Sequence, residues 1–469
     1  MNKRKVFLAQ RTKKQRHRRD YIPVLILNAK NLNTIYSASG ISKLTDQLFR
    51  HEAGKMVAVL TKIFGTENLQ ISEDVVQDTF ITAINVWSVK GLPDNPSAWL
   101  FRAAKNKAID ILRKNKFSTR IDFSDPERTL LQSEYTLVAT IEKFWQEDEI
   151  ADDVLRMMYA CCHPEITEEN QVTLMLKTLC GFSTAEIARA FITSEDTVSK
   201  RLYRTKEFFR TKKIKPCFPQ PGLLKQSTDA VLKTIYLLFN EGYNSTHAEE
   251  LIRKDLITQA MYLCRLLCNS VHTQLPEVFA AMALMFFHAA RIDSRIDTNG
   301  EVILLSQQDR SKWDRESIQQ GNDYMNKAAF GKDISSYHIE AAIAYEHCIA
   351  PDFEQTNWQN ILSYYNMLVE INPSSVVLLN RLTVIFKVFG AGKTLPEIES
   401  SPFRKEWEKN YLFHSLMGDI YAESNTSMSK TFYETAGKLT KSGAEKKLLH
   451  KKVEALSCHG LSVPRLKPE

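Results

Sequence analysis

The segment 181–210, GFSTAEIARAFITSEDTVSKRLYRTKEFFR, constrains this chain most, because it predicts two short helices joined by a tight turn. Ser183 and Glu186 have capping-box spacing, which predicts the start of the first helix. Thr193, with Asp196 three residues later, predicts the start of the second. A scaffold helix, a turn and a basic second helix form the arrangement that lays a recognition helix in the major groove of DNA. The alternative is a helical hairpin with a solvated basic face.

Helical spacing assigns a buried and an outer face to both of these helices. The apolar side of the first helix is expected to consist of Ile187, Ala188 and Phe191. The buried stripe of the second is expected to consist of Val198, Leu202 and Tyr203. The largely opposite, polar side carries Thr197, Lys200, Arg201 and Arg204.

Glycine and proline are scarce in the whole chain, with 16 and 15 among 469 residues. Together with long apolar runs at helical spacing, this predicts an all-α protein. No apolar run approaches the ~20 residues that span a bilayer. Residues 21–27 are too short for the core of a signal peptide. A cytoplasmic protein without membrane contact is therefore expected.

The net charge of +7 is unevenly distributed. Residues 1–40 carry ten Lys and Arg against one acidic residue, and residues 171–215 carry ten against four. Residues 121–170 carry three against thirteen. Basic blocks favour nucleic acid through counterion release, whereas an acidic spacer between them does not.

These patterns divide the chain into six segments. They are a basic tail at 1–40, a three-helix unit at 41–115, a flexible acidic linker at 116–147, a four-helix unit at 148–214, a proline-rich linker at 215–227 and a helical domain at 228–469. The tail is interpreted either as a nonspecific nucleic-acid arm or as an upstream start-codon artefact. In the first unit, Ser72 and Ser97 are predicted to open the second and third helices.

The long C-terminal segment contains apolar stretches at 230–239 and 279–287 that predict deeply buried helices. Trp358–Ile371, a turn at 372–374 and a partner helix at 376–388 have the spacing of a tetratricopeptide-type helical pair. Residues 418–422 and 433–436 suggest another pair, one residue short of the usual spacing. The alternative is a plain helical domain without true repeats.

Three segments of the N-terminal half carry a family resemblance. Residues 72–80, SEDVVQDTF, resemble the region 2 helix of bacterial sigma-70 family factors, and residues 95–113 resemble the end of that region. Residues 180–206 resemble region 4. The short spacer leaves no room for a region 3 domain, which is typical of the extracytoplasmic-function (ECF) subfamily. Three further motifs resemble an ECF group with a long helical-repeat extension: CCHPE at 161–165, LFNEGY at 238–243 and QDRSKWD at 308–314.

The resemblance implies partners and site residues. Region 2 would bind the β′ clamp of core RNA polymerase through Asp74, Gln77 and Asp78. It would hold the promoter −10 strand through Trp99, Arg102, Lys105, Asn106 and Arg113, since unpaired bases need stacking surfaces and cations. Region 4 would touch the β flap and read the −35 duplex through Thr193, Ser194, Thr197, Lys200, Arg201 and Arg204. Two alternatives remain. Trp99 would be purely a core residue, and Asp74, Gln77 and Asp78 would form only a solvated helix start.

Two roles outside the DNA-binding units are also expected. The acidic 121–170 block would thread a basic polymerase channel. The 228–469 domain would regulate or support the sigma units, through a protein partner or through an intramolecular contact, because stacked helical pairs form concave binding surfaces.

Other classes of function remain as alternatives. The first is a stand-alone helix-turn-helix regulator with a ligand- or partner-sensing helical domain. The second, an enzyme, is disfavoured because no phosphate-binding glycine loop, nucleophile elbow or metal-ligand spacing is present. Cys161, Cys162 and His163 suggest a buried helix end rather than a metal site. Core or surface positions rather than catalytic ones are expected for His247, His288, His338 and His347. We therefore expect no cofactor.

Overall fold

The computed structural model describes residues 38–458 apart from 115–120, 122, 124–125, 192, 246–250, 298–300, 332 and 441. This part of the chain is built of helices, with one isolated bridge between Ile296 and Val302 and no strand. The predicted all-α class is confirmed. The basic tail lies outside the described residues except for its last three. None of the described helices is both long and apolar enough to cross a membrane.

The first unit consists of α1 (Ala38–Phe64), α2 (Leu69–Lys90) and α3 (Pro96–Lys114). The prediction that Ser72 caps the second helix is wrong, because α2 begins at Leu69 and Ser72 lies fully buried inside it. Gly65 adopts a φ of 93°, which L side chains rarely adopt, and a 3-10 turn at Thr66–Asn68 then leads directly into α2. The predicted start near Ser97 agrees with α3, where the Asn95 side chain accepts a hydrogen bond from Ala98 N at 2.9 Å.

The segment expected to be a flexible linker contains α4 (Pro126–Thr129) and α5 (Glu134–Phe144). Leu137, Ile141 and Phe144 are buried at helical spacing, and they anchor α5 in the same core as the first unit. Only three residues provide this apolar stripe, which explains the weak periodicity of the sequence.

The second unit consists of α6 (Glu147–Cys161), α7 (Glu168–Thr178), α8 (Thr184–Ala190) and α9 (Glu195–Lys212). The capping box of α8 is present: Ser183 Oγ accepts from Glu186 N, and Glu186 Oε2 accepts from Ser183 N at 2.8 Å. The cap of α9 is Ser194, whose Oγ accepts from Thr197 N at 3.2 Å, and not Thr193.

The C-terminal half is a succession of helices. They are α10 (Pro221–Tyr243), α11 (Lys254–Asn269), α12 (Pro276–Ala289), α13 (Arg315–Ala328), α14 (Ser336–Ile349), α15 (Trp358–Ile371), α16 (Ser375–Phe389), α17 (Ala391–Ser400), α18 (Arg404–Trp407), α19 (Tyr411–Tyr421), α20 (Thr426–Leu439) and α21 (Gly443–Cys458). The predicted helical pair coincides with α15 and α16. Residues 279–287 are all buried, as expected.

One hydrophobic core runs from Ala53 to Ala328 and so includes both N-terminal units and the beginning of the C-terminal half. The predicted second linker is partly helical, because α10 begins at Pro221. Tyr159 Oη of α6 lies 2.9 Å from Thr228 Oγ1 of α10, at the centre of this junction. A second core lies mainly among α14–α19.

Candidate nucleic-acid interface

The outer face of α2 is polar at its beginning and apolar further along. Asp74, Gln77 and Asp78 are exposed, as predicted. Ile81 and Ile84 follow with 57% and 40% exposure, which is high for isoleucine. Because positions 77, 81 and 84 lie on one side of a helix, the two isoleucines extend the predicted surface. Their phase relative to the buried Phe80 and Ala83 was the signal available in the sequence.

The basic face of α3 is partly covered by α5. Arg102 and Asn106 are exposed. Arg113 Nη2 lies 2.9 Å from Glu134 Oε1, and Lys105 pairs with Glu142. Both acidic partners belong to the segment expected to be a linker. Two of the predicted −10 residues are therefore neutralised by the chain itself.

Trp99 lies at the edge of the first unit. Its ring packs edge-on against buried Trp87, with 5.5 Å between the ring centroids, and it is only partly exposed. This position contributes to the core and also leaves part of the indole accessible.

The exposed face of α9 differs from the predicted face at two residues, Arg201 and Tyr203. Lys200 and Arg204 are exposed as predicted, but Tyr203, expected to be buried, is 72% exposed and lies beside them. Arg201 is instead tied to α7, where its Nη2 lies 2.8 Å from Glu169 Oε2. The hydroxyls of Ser194 and Thr197 lie 2.9 Å apart in the cap, and Thr193 N donates to the backbone of α8.

The two N-terminal units are in direct contact. Lys206 of α9 pairs with Glu73 of α2, one residue before Asp74. Gly54 of α1 lies so close to the end of α7 that a Cβ there would overlap the carbonyl of Leu179. Part of the surface of α1 and α2 is therefore covered by α9 and the end of α7, and the reverse is also true.

A buried ionic cluster, made of Arg50, Glu186 and Arg253, links both units to the C-terminal half. Glu186 Oε1 lies 3.2 Å from Arg50 Nη1 and 2.9 Å from Arg253 Nη1. Glu186 and Arg253 are each 7% exposed. Burial alone would raise the pKa of Glu186, but the Ser183 amide, Arg50 and Arg253 outweigh it and lower this pKa to about 2.

Cys161 and Cys162 are buried at the end of α6, and burial raises the pKa of Cys162 to about 12. A neutral thiol of this kind is a poor metal ligand. Across the described ranges, no group of three or more His, Cys, Asp or Glu side chains is arranged to hold a metal ion.

Comparison with known proteins identifies the first unit. Residues 48–118 match sigma-70 region 2. The ECF RNA polymerase sigma factor SigL of Mycobacterium tuberculosis is 30% identical over 133 residues, which cover 28% of this chain and 68% of SigL. The chain belongs to the sigma-70 family. Sigma-70 family proteins are initiation factors rather than enzymes, and their partners are core RNA polymerase and promoter DNA.

The similarity of this sigma-70 family member to other proteins extends beyond region 2. An uncharacterized protein of Rhizobium meliloti (strain 1021) is 30% identical over 397 residues, which cover 84% of this chain and 92% of that protein. Residues 227–329 match DUF6596, a family of unknown function. No solved structure gives a significant match. The similarity to the Rhizobium meliloti protein therefore extends from the sigma-70 region into the C-terminal helices.

Proposed function

We propose that this sigma-70 family member is an ECF-type factor that directs promoter-specific initiation by core RNA polymerase, and that its C-terminal helices regulate it. The observation that supports this most is one chain carrying both a region 2 match and a capped helix-turn-helix with a basic outer face. Region 2 would bind the −10 element and the region 4-like unit the −35 element.

The outer face of α2 would bind the β′ clamp. Its carboxylates repel DNA phosphates and so keep this surface free for protein. Ile81 and Ile84 would supply the apolar contact area that the centre of a protein–protein interface needs.

The outer face of α9 would read the −35 duplex. Arg204 and Lys200 are long enough to reach guanine edges, where Arg binds in bidentate fashion. Tyr203 lies beside them and would pack against the DNA backbone or a thymine methyl group. Ser194 and Thr197, at the positive end of α9, suit phosphate contacts.

The arrangement in which the two N-terminal units contact each other would be an inactive form of the protein. Elements centred about 25 base pairs apart lie about 85 Å apart on DNA at 3.4 Å per base pair. The units that would bind them are instead joined by the Lys206–Glu73 pair. Arg253 of the C-terminal half strengthens this contact through Glu186. Opening of the chain would therefore precede promoter binding.

We further propose that the C-terminal helices form tetratricopeptide-like pairs. Gly418 of α19 lies against the ring of Tyr433 of α20, where a Cβ would overlap that ring. A small residue facing an aromatic one across two antiparallel helices is what close pairing of this kind requires.

Runoff transcription with core polymerase on fragments of the source genome tests the function. The intact chain should yield discrete transcripts, and Arg204→Gln should reduce them at least tenfold. Arg404→Gln, which changes a partly exposed arginine of α18, should not reduce them. Duplex binding at the same fragments without polymerase, with no transcript in its presence, would instead support a stand-alone regulator.

A further inference from the structure

A cavity of about 470 Å³ lies in the C-terminal half, between α10, α12, α14, α15 and α16. Its volume is within the ~300–1,000 Å³ typical of small-molecule sites. It lies between the segment that matches DUF6596 and the helical pair formed by α15 and α16. Nothing in the DNA-binding surfaces uses this cavity.

One end of the cavity is cationic. Arg291 lines it and donates through Nε to Tyr243 Oη at 2.6 Å. Arg295 lies over the Tyr243 ring, 3.8 Å from its centroid, and Arg310 donates to the carbonyls of His347 and Ala350. In the described part of the chain, none of these three arginines forms an ion pair with a carboxylate.

Two histidines at the same end are uncharged. Burial, with the neighbouring arginines, lowers the pKa of His288 and that of His347 to about 3. Both imidazoles can therefore offer a donor or an acceptor to a ligand. Nδ1 of His347 is buried and has no hydrogen-bond partner among the described residues. Few buried polar atoms in proteins lack a hydrogen-bond partner, and this one lies in a residue that lines the cavity.

The remaining wall is mostly apolar. Phe287, Ile343, Leu368 and Val376 line it. The carboxyl group that lines the cavity, Glu340, accepts a hydrogen bond from Tyr236 Oη at 2.7 Å, and burial raises its pKa. Among the described residues it forms no ion pair with Arg291.

We propose that this cavity binds a small organic carboxylate with an apolar or aromatic body, held at its charged end by Arg291. The two Nη groups of Arg291 not used by Tyr243 can bind a planar carboxylate in bidentate fashion. The His347 imidazole lines the same end of the cavity, and the apolar wall accepts the body of the ligand. Of the three arginines, Arg291 alone is among the described residues that line the cavity, so the site matches a monoanion better than a phosphate dianion.

Two motifs of the sequence build this site. In LFNEGY, Asn240 lines the cavity and Tyr243 orients Arg291, while Glu241 lies 3.6 Å from Arg253 of the ionic cluster. In QDRSKWD, Arg310 fixes the backbone that carries His347. Both motifs therefore contribute residues that line the cavity or hold its lining residues in place.

Calorimetry and thermal shift on the intact chain test the proposal without polymerase. The probes are octanoate, 3-phenylpropionate and indole-3-acetate, each paired with its primary amide, and phenyl phosphate. At least one carboxylate should bind with one-to-one stoichiometry and raise Tm, and its amide should bind at least tenfold more weakly. Arg291→Gln should weaken binding at least tenfold, whereas Arg315→Gln, an exposed arginine of α13 outside the cavity, should not.

Val376→Trp provides a second variant, because Val376 is 54% exposed and a larger side chain there would plug the cavity without displacing the core. It should abolish binding and leave Tm of the free chain unchanged. Binding of none of the carboxylates, equal binding of acid and amide, preference for phenyl phosphate, or full binding by Arg291→Gln would each overturn the proposal.

Discussion

The Glu186 carboxylate is 7% exposed between Arg50 and Arg253, and it also closes the capping box of α8. Its two cationic partners come from α1 and from the residue before α11, far away in the sequence. A single side chain therefore stabilises a local turn and joins three parts of the molecule.

Glu186→Gln should loosen this junction. Gln keeps the cap geometry but removes the charge between the two arginines. Arg50 keeps Asp255 at 3.8 Å and Arg253 keeps Glu241 at 3.6 Å, so the loss should be smaller than the about 3–5 kcal/mol typical of a buried charge left without a partner. We expect a lower Tm and a larger radius of gyration in small-angle X-ray scattering. Glu195→Gln, an exposed acidic residue in the first turn of α9, is the matched control. A variant as compact and stable as the wild type would contradict this role.

His347 gives the C-terminal half a pH dependence of known sign. Its folded pKa of about 3 lies below the unfolded value of ~6.5. The stability it contributes is therefore full above pH ~6.5 and is lost as pH falls towards 3, by up to about 1.4 kcal/mol per pH unit.

Asp153 acts in the opposite direction, because burial raises its pKa to about 7 despite its pairing with Lys62. The measurement is consequently the difference in Tm between wild type and His347→Gln at pH 7.5, 6.5 and 5.5. The variant should lose less stability than the wild type on acidification, and parallel curves would contradict the prediction.

Residue-level inference from the sequence succeeded where the partners are close along the chain. The Ser183–Glu186 capping box was predictable because three residues separate its members. The Arg50–Glu186 pair was not, since 136 residues separate the two side chains. The prediction placed Tyr203 on the wrong face because it is a large aromatic residue next to Leu202. Each residue turns a helix by about 100°, which takes Tyr203 away from the buried stripe of Val198 and Leu202.

At the scale of elements, α5 is the helix with the clearest consequence for DNA binding. It places Glu134 and Glu142 on Arg113 and Lys105, both predicted to hold the −10 strand. Exposed pairs of this type contribute about 0–1 kcal/mol each, so they can be exchanged readily for contacts with phosphates.

Replacing both acids, in Glu134→Gln with Glu142→Gln, should uncover the basic face of α3. We expect the intact chain to bind a labelled single-stranded oligonucleotide roughly threefold to tenfold more tightly at low salt, as measured by fluorescence anisotropy. The control for net charge is the double variant Glu147→Gln with Asp148→Asn, which removes two charges from exposed residues outside α5. Equal gains in both double variants would show that α5 does not mask α3.

The sequence predicted the existence of α2, α3, α8, α9, α15 and α16 because each has a cap signal or a long apolar stripe, although the caps of α2 and α9 were placed at the wrong residues. It missed α5, whose stripe is only Leu137, Ile141 and Phe144 and whose acidic surface suggested a linker. Short helices stabilised by tertiary packing leave little periodicity to detect.

At the scale of the whole molecule, the units interpreted as separate domains share one core. The boundary near residue 222 was inferred from prolines, yet α10 packs against α6 and α7 immediately after it. Proline content reports where a helix begins and says nothing about which surface that helix covers. Removal of everything after Gly222 would expose this core, so variants of the intact chain are the better comparison.

Gly54→Ala is such a variant, because a Cβ at this position would force α1 away from Leu179. We expect a more open chain and, if opening limits promoter binding, several-fold more runoff transcript. Gly437→Ala in α20 has free space for a Cβ and is the matched control. An expanded chain with unchanged or reduced transcription would show that the compact form does not restrain activity.

Asn240 and Glu241 are neighbours on α10, yet one faces the cavity and the other lies beside Arg253, whose amide donates to Gly242 O at 2.7 Å. One helical turn therefore connects a ligand site to the cluster that closes the molecule. Thermodynamic linkage makes such a connection reciprocal: whatever factor the ligand imposes on polymerase binding, polymerase imposes on ligand binding. A chain built in this way would report the concentration of a metabolite directly to the transcription machinery, with no separate sensor protein between them.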